Sequence, residues 1–192
     1  MKPVVIIGVG ALGSHLVMLA RNLGNPLRLV DFDRVEQKNT QGQFHSKMGL
    51  GKNKALALQQ TLLGLWGLKV EVIPHKLTPD NVSTVLGDAA LVIDCTDNAE
   101  ARRTIKNFVR LADIPCLHGA LAADGSFGRV IWDEFFKEDE EGAGGQASCE
   151  DGKNLGFHAL VAAQMALVAQ KFLDDETRSS YQMTHGTLQR IS

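Results

Sequence analysis

Hydrophobic residues fall along this chain in short unbroken runs separated by stretches of helical spacing. Val4-Val5-Ile6-Ile7 is the first run, of the kind shown by a strand buried on both faces, and Ala11 to Leu23 then carries a helical pattern. Leu27 to Asp31 and Lys69 to Ile73 predict the next two strands, the second preceded by a helix over Lys54 to Leu65. Asn81 to Leu86 predicts a short helix, Ala89 to Asp94 a buried strand, Ala99 to Leu111 a helix and Pro115 to Gly119 a further strand. Alternation of this kind predicts a Rossmann-like, doubly wound α/β fold: a mostly parallel sheet with helices on both faces, in a single domain over residues 1–192.

The pattern changes after Arg129-Val130-Ile131-Trp132. Asp133 to Gly145 holds six acids and three glycines, with no apolar periodicity beyond Phe135 and Phe136, so residues 133–152 are expected to form a mobile crossover loop. Leu155 to Phe172 is apolar on nearly every side and calls for burial on more than one face, which at the end of a doubly wound sheet favours packing on a second copy in a homodimer. The tail from Arg178 to Ser192 is polar and says little.

Composition narrows the function classes. At 192 residues the chain buries a core without staples, and a net charge of -2 offers no general attraction for nucleic acid or an anionic membrane. Cys95, Cys116 and Cys149 are too irregular for a disulfide framework, and no CxxC pair begins a zinc site, so a cytoplasmic protein without zinc is expected. Val4 to Ile7 is too short for a signal peptide or a membrane span, and no other stretch reads as one.

Gly8-Val9-Gly10-Ala11-Leu12-Gly13 matches GxGxxG between the first strand and the first helix. Gly8 permits the tight turn, Gly10 lets backbone approach phosphate, and Gly13 lets helix pack close to strand, leaving N–H groups to meet an anion. Asp31, at the end of the next strand, suits a ribose, which fits NAD and ATP alike.

The residues that discriminate come later: Asp31-Phe32-Asp33-Arg34-Val35-Glu36-Gln37-Lys38-Asn39-Thr40-Gln41-Gly42-Gln43-Phe44, then Gly51-Lys52-Asn53-Lys54, then Asp94-Cys95-Thr96-Asp97-Asn98. This order resembles the ThiF/MoeB/HesA branch of the ubiquitin-activating-enzyme-like family, with its DxDxVExSNLxRQ, GxxK helix start and DCTDN, over roughly residues 4–172. The resemblance implies adenylation of the C-terminal glycine of a ubiquitin-like or sulfur-carrier protein ending in Gly-Gly, with pyrophosphate released from MgATP. It implies that Asp31 and Asp33 line the ribose side, that Asn39 and Gln41 contact phosphates, that Lys54 neutralises them, that Arg103 reaches the site from its helix, and that Asp97 holds Mg²⁺. Taken without the resemblance, Asp31 and Asp97 are also read as helix caps and Asn39 as a turn former.

Cys149 stands where the family places a cysteine before an Ala-rich helix, making it the candidate nucleophile for transfer after adenylation, although Glu150 and Asp151 disfavour its thiolate. Cys95 and Cys116 read as packing residues, and His118 as a satisfied core histidine. Gly42 replaces the arginine of LxRQ, with Arg34, Lys38 and Lys52 as candidate substitutes. Since the chain starts almost at its first strand, no phosphate arginine from an N-terminal helix is expected. Two other readings stay open: a nucleotide- or carrier-binding module without turnover, and an NAD-dependent oxidoreductase, the latter disfavoured because DCTDN has no role beside nicotinamide.

Overall fold

The computed structural model describes residues 1–136 and 152–192. The chain runs β1 (Val4–Ile7), α1 (Gly13–Leu19), β2 (Leu27–Val30), α2 (Asn39–Gly42), α3 (Lys54–Trp66), β3 (Glu71–Ile73), α4 (Val82–Leu86), β4 (Leu91–Asp94), α5 (Ala99–Ala112), β5 (Cys116–Leu121), β6 (Phe127–Trp132), α6 (Leu155–Asp175), β7 (Tyr181–Thr184) and β8 (Leu188–Arg190). Among the described residues the strands form one sheet in the order β3-β2-β1-β4-β5-β6-β7-β8, parallel from β3 to β5 and antiparallel beyond. The Rossmann-like expectation therefore holds, with an antiparallel flank that includes the tail read as uninformative.

Alternation along β1 explains the two helical layers. Val4 and Ile6 point into a cluster with Leu16 and Val17 of α1, Leu58 and Leu62 of α3, and Val161, Met165 and Ala169 of α6. Val5 and Ile7 point the other way, onto Val82, Val85 and Leu86 of α4 and Ile105 and Val109 of α5. A strand apolar at every position is what a sheet covered on both faces demands.

One expectation needs correction. Asp133–Phe135 is an ordered 3-10 turn continuing β6, with Asp133 and Phe136 both buried; residues 137–151 of the expected loop lie outside the described residues. In addition, α6 covers its own sheet, burying Phe157, Val161, Met165, Val168 and Phe172, while Leu160 and Leu167 are 51% and 65% exposed. Its apolar character thus has an intrachain cause. At 21 residues α6 is also long and apolar enough to cross a membrane, which the sequence reading did not register; packed this way it is a core helix.

The α6 packing rests on close approach to glycines in the sheet. A Cβ on Gly128 would stand 2.5 Å from Val161 Cγ2. Gly128→Ala is expected to lower the unfolding free energy by about 1–3 kcal/mol through overpacking, measured by urea denaturation.

Candidate functional site

Because β2, β1 and β4 are parallel neighbours, their carboxyl ends share one edge of the sheet, and the segments leaving them meet. Gly8 turns the chain out of β1 at φ +80°, and a Cβ there would stand 3.0 Å from the Cys95 carbonyl oxygen. A Cβ on Gly13 would stand 1.9 Å from the Gly8 carbonyl oxygen, so only glycine lets α1 begin so close to β1. Gly10 differs from both. Its φ lies outside the left-handed region and the nearest neighbour to a Cβ would be Gln43 Nε2 at 3.9 Å, so nothing in the protein requires a glycine there. The N–H groups of residues 10–13 find no acceptor among the described residues.

From β2, Asp31 reaches across to this loop. Its Oδ2 accepts from Val9 N at 2.7 Å and its Oδ1 from Asp33 N at 2.8 Å. Burial pushes its carboxyl above the ordinary range, restrained by the Lys54 ammonium and these amides. Asn53 fixes the start of α3: its Oδ1 caps Leu56 N at 3.1 Å while its Nδ2 donates to the carbonyls of Asp31 and Asp33 at 2.8 and 3.2 Å. Lys54 is thereby held at the edge, its side chain only 10% exposed and its Nζ 3.0 Å from Asp33 Oδ2. The glycine loop, Asp31, Asp33 and Lys54 form one connected group.

From β4, Asp94 shapes the turn that follows. Its Oδ1 accepts from Thr96 N at 2.9 Å and Thr96 Oγ1 at 2.7 Å, and Asn98 caps α5 through Ala101 N at 3.1 Å. Between them Asp97 is exposed, with no hydrogen-bond or ion-pair partner among the described residues. Arg102 Nε donates to Thr96 O at 2.9 Å, making it the arginine that ties α5 to this turn; Arg103 is exposed on the same helix.

Asp94 is also one end of a buried charge network. His118 is fully buried, as expected of a satisfied core histidine, with Nδ1 2.8 Å from Asp94 Oδ2, Nε2 3.1 Å from Asp133 Oδ1, and its ring stacked on Phe136 at 4.1 Å. Arg110 Nε meets Asp133 Oδ2 at 2.5 Å. Burial works against a charged ring, yet Cys116 and the two carboxylates outweigh it and raise the His118 pKa to about 11. Asp94 and Asp133 stay below the ordinary range because, against burial, His118 donates to both. Cys95 and Cys116 are free thiols pushed up by burial, in keeping with packing roles.

Other expected residues divide. Asn39 is buried and its Oδ1 accepts from Glu36 N at 2.8 Å, which is the turn-forming role. Gln41 is exposed, and counted from Asp31 the closing glutamine of DxDxVExSNLxRQ falls on Gln43 instead. Gln43 is the residue beside Gly10, and its buried Oε1 has no partner among the described residues. Cys149 lies outside the described residues. The candidate substitutes for the missing arginine are engaged elsewhere: Arg34 donates to Gly51 O at 2.6 Å, Lys52 to Gln60 Oε1 at 2.8 Å, and Lys38 stands 3.6 Å from Glu36 Oε2.

The ThiF family profile matches residues 2–189. The chain belongs to the ThiF family. Among its relatives it is 33% identical over 122 residues to the sulfur carrier protein adenylyltransferase of Thermus thermophilus, covering 62% of this chain and 45% of that protein. It is 31% identical over 121 residues to the SAMP-activating enzyme E1 of Haloferax volcanii, covering 62% and 45%. This ThiF-family chain thus aligns with less than half the length of those proteins. In fold it is similar to E. coli MccB crystallised with ATP, with a TM-score of 0.81 and 16% identity, covering all of this chain and 63% of that one.

The buried network gives a pH prediction. A raised His118 pKa contributes stability that is complete below its unfolded value of 6.5 and is lost as pH rises toward about 11. The lowered Asp94 and Asp133 values contribute stability present above 3.8 and lost as pH falls through their folded values. His118→Gln is expected to cost about 3–5 kcal/mol by leaving buried carboxylates unpaired. Urea denaturation across pH 6.5 to 10 should find the alkaline decline in the wild type and not in the variant.

Proposed function

We propose that this chain performs ATP-dependent adenylation of the C-terminal glycine of a ubiquitin-like or sulfur-carrier protein. The single observation that carries the nucleotide site is Gly10, a glycine with ordinary backbone and open space before it, in a loop whose N–H groups lack acceptors among the described residues. Backbone that bare accommodates a phosphate that a side chain would displace. Family membership and the adenylyltransferase names of the relatives supply the reaction class.

On this reading the loop amides of residues 10–13 and the Lys54 ammonium offset the charge of the phosphates, and Asp31 takes the ribose hydroxyls. Asp97, an exposed carboxylate with no partner among the described residues, suits Mg²⁺, which takes one or two carboxylates and completes its shell with phosphate and water oxygens. That ion would supply charge neutralisation across phosphate oxygens. The carrier's terminal carboxylate oxygen bonds to the α-phosphorus as the bond to the β-phosphate oxygen breaks, giving an acyl adenylate and pyrophosphate. Cys149 is assigned to transfer after that step, and the exposed Leu160 and Leu167 face of α6 to a homodimer contact in the cytoplasm.

Exchange of labelled pyrophosphate into ATP, measured with carrier proteins ending in Gly-Gly, tests the reaction. Exchange that requires a carrier supports it; tight MgATP binding without exchange from any carrier would make the chain a binding module. Gly10→Ala is expected to keep the wild-type melting temperature within a few degrees, since the nearest atom to the new Cβ is Gln43 Nε2 at 3.9 Å, while weakening MgATP binding strongly in calorimetry. Asp97→Ala is expected to abolish exchange, and an unaffected rate would refute its metal role.

A further inference from the structure

His45 was not singled out by any sequence pattern. It is 6% exposed, and its Nε2 lies 2.9 Å from the carbonyl oxygen of Val9, in the middle of the glycine loop. A carbonyl only accepts, so Nε2 carries the proton and Nδ1, which is buried and has no partner among the described residues, carries the lone pair. Burial first, then the nearby Lys54 and His15, pull its pKa down to about 4 against the Val9 carbonyl, so the ring is neutral at physiological pH.

The Val9–Gly10 peptide is one rigid trans unit, in which the carbonyl of Val9 and the N–H of Gly10 point in opposite directions. Fixing one fixes the other. Glycine on one side of that unit makes rotation of the whole peptide cheap, because no Cβ opposes it. A rotated peptide would turn the Val9 carbonyl dipole to where the Gly10 N–H now points. Asp31 already holds the N–H of Val9 at 2.7 Å, but that bond belongs to the preceding peptide unit and leaves this one unconstrained. His45 supplies the missing restraint.

We infer that His45 is a positioning residue of the glycine loop: by donating from Nε2 to the Val9 carbonyl it holds the Val9–Gly10 peptide so that the Gly10 N–H is presented to the nucleotide phosphates. The inference rests on the nucleotide site proposed above, and adds a residue that acts through the backbone without touching the ligand.

The test compares the full chain with His45→Leu and His45→Gln. Leucine removes the donor; glutamine places an amide N–H at nearly the reach of Nε2. His45→Leu is expected to weaken MgATP binding by about tenfold or more in calorimetry, the scale of one hydrogen bond to a charged group. His45→Gln should restore affinity to within about threefold of wild type if one donor of this reach is what matters. The carbonyl carbon-13 shift of Val9, which moves downfield when the oxygen accepts a hydrogen bond, should fall in the leucine variant and not in the glutamine variant, a readout that needs no nucleotide. If the leucine variant does not fold, His45→Asn, polar but too short to reach Val9, takes its place. Wild-type affinity in the leucine variant, or equal weakening in the leucine and glutamine variants, would overturn the role of His45. If the wild type binds no MgATP, the nucleotide reading falls, and the Val9 carbonyl shifts alone decide whether His45 holds the peptide.

Discussion

The tightest glycine approach among the described residues lies at the junction of β1 and α1, where the chain must leave a strand buried between two others and enter a helix within five residues. Two glycines make it possible: Gly8 passes against the Cys95 carbonyl, and Gly13 approaches the Gly8 carbonyl more closely than any side chain permits. Once that turn exists, its neighbours have little freedom. Asp31 must end β2 against the Val9 amide, and the segment after β4 must pass over Gly8. The candidate site is largely the consequence of packing three parallel strand ends around one tight turn.

The charges beneath the site serve the same geometry. Burying Asp94, His118 and part of Asp133 costs desolvation energy that their mutual hydrogen bonds only offset, so such a network is poor evidence for added stability. What it fixes is position. Asp94 spends one oxygen on His118 and the other on Thr96, so the turn carrying Asp97 is anchored through β5 to Asp133 and Arg110. Arg102 closes the same turn from α5. A solvent-facing carboxylate is thereby mounted on a rigid base.

The strands and helices from Val4 to Gly119, the short α2 apart, were legible because their burial is set by local periodicity, and the glycine spacing carried its own steric reason. What the sequence concealed depends on distant partners. Asp133 and Phe136 sit in an acidic stretch that reads as loop, yet one carboxylate and one ring are claimed by His118 on another strand. β7 and β8 are only four and three residues long, so the alternation of Tyr181 and Met183 with Gln182 and Thr184 is too brief to mark a strand within a polar tail, and their hydrogen bonds come from the antiparallel flank of the sheet. Apolarity all round α6 indicated burial but not against what, and its own sheet supplies much of it. At the site, Asp31, Asp33 and Lys54 were found by their order along the chain, whereas Gln41 was taken for Gln43 by a two-residue slip that counting from Asp31 corrects and the place of Gln43 beside Gly10 supports. His45 acts through a carbonyl, and no residue pattern records a backbone acceptor.

The replacement of an arginine by Gly42 bears on how such a site meets a triphosphate. Asp31, Asp33 and Asp97 bring negative charge to the edge, and Lys54 already shares its ammonium with Asp33. Arg34, Lys38 and Lys52 are turned toward Gly51, Glu36 and Gln60. Side-chain cations are therefore a minor source of attraction for a polyanion here, and the burden shifts to oriented N–H dipoles and to a divalent cation arriving with the nucleotide. Dipoles attract only when aimed, because a peptide turned over presents its carbonyl and repels the same ligand. A site with few cations is for that reason more sensitive to the orientation of each loop peptide than one with an arginine to spare, and this gives the buried restraint on the Val9 carbonyl a consequence it would lack in an arginine-bearing relative.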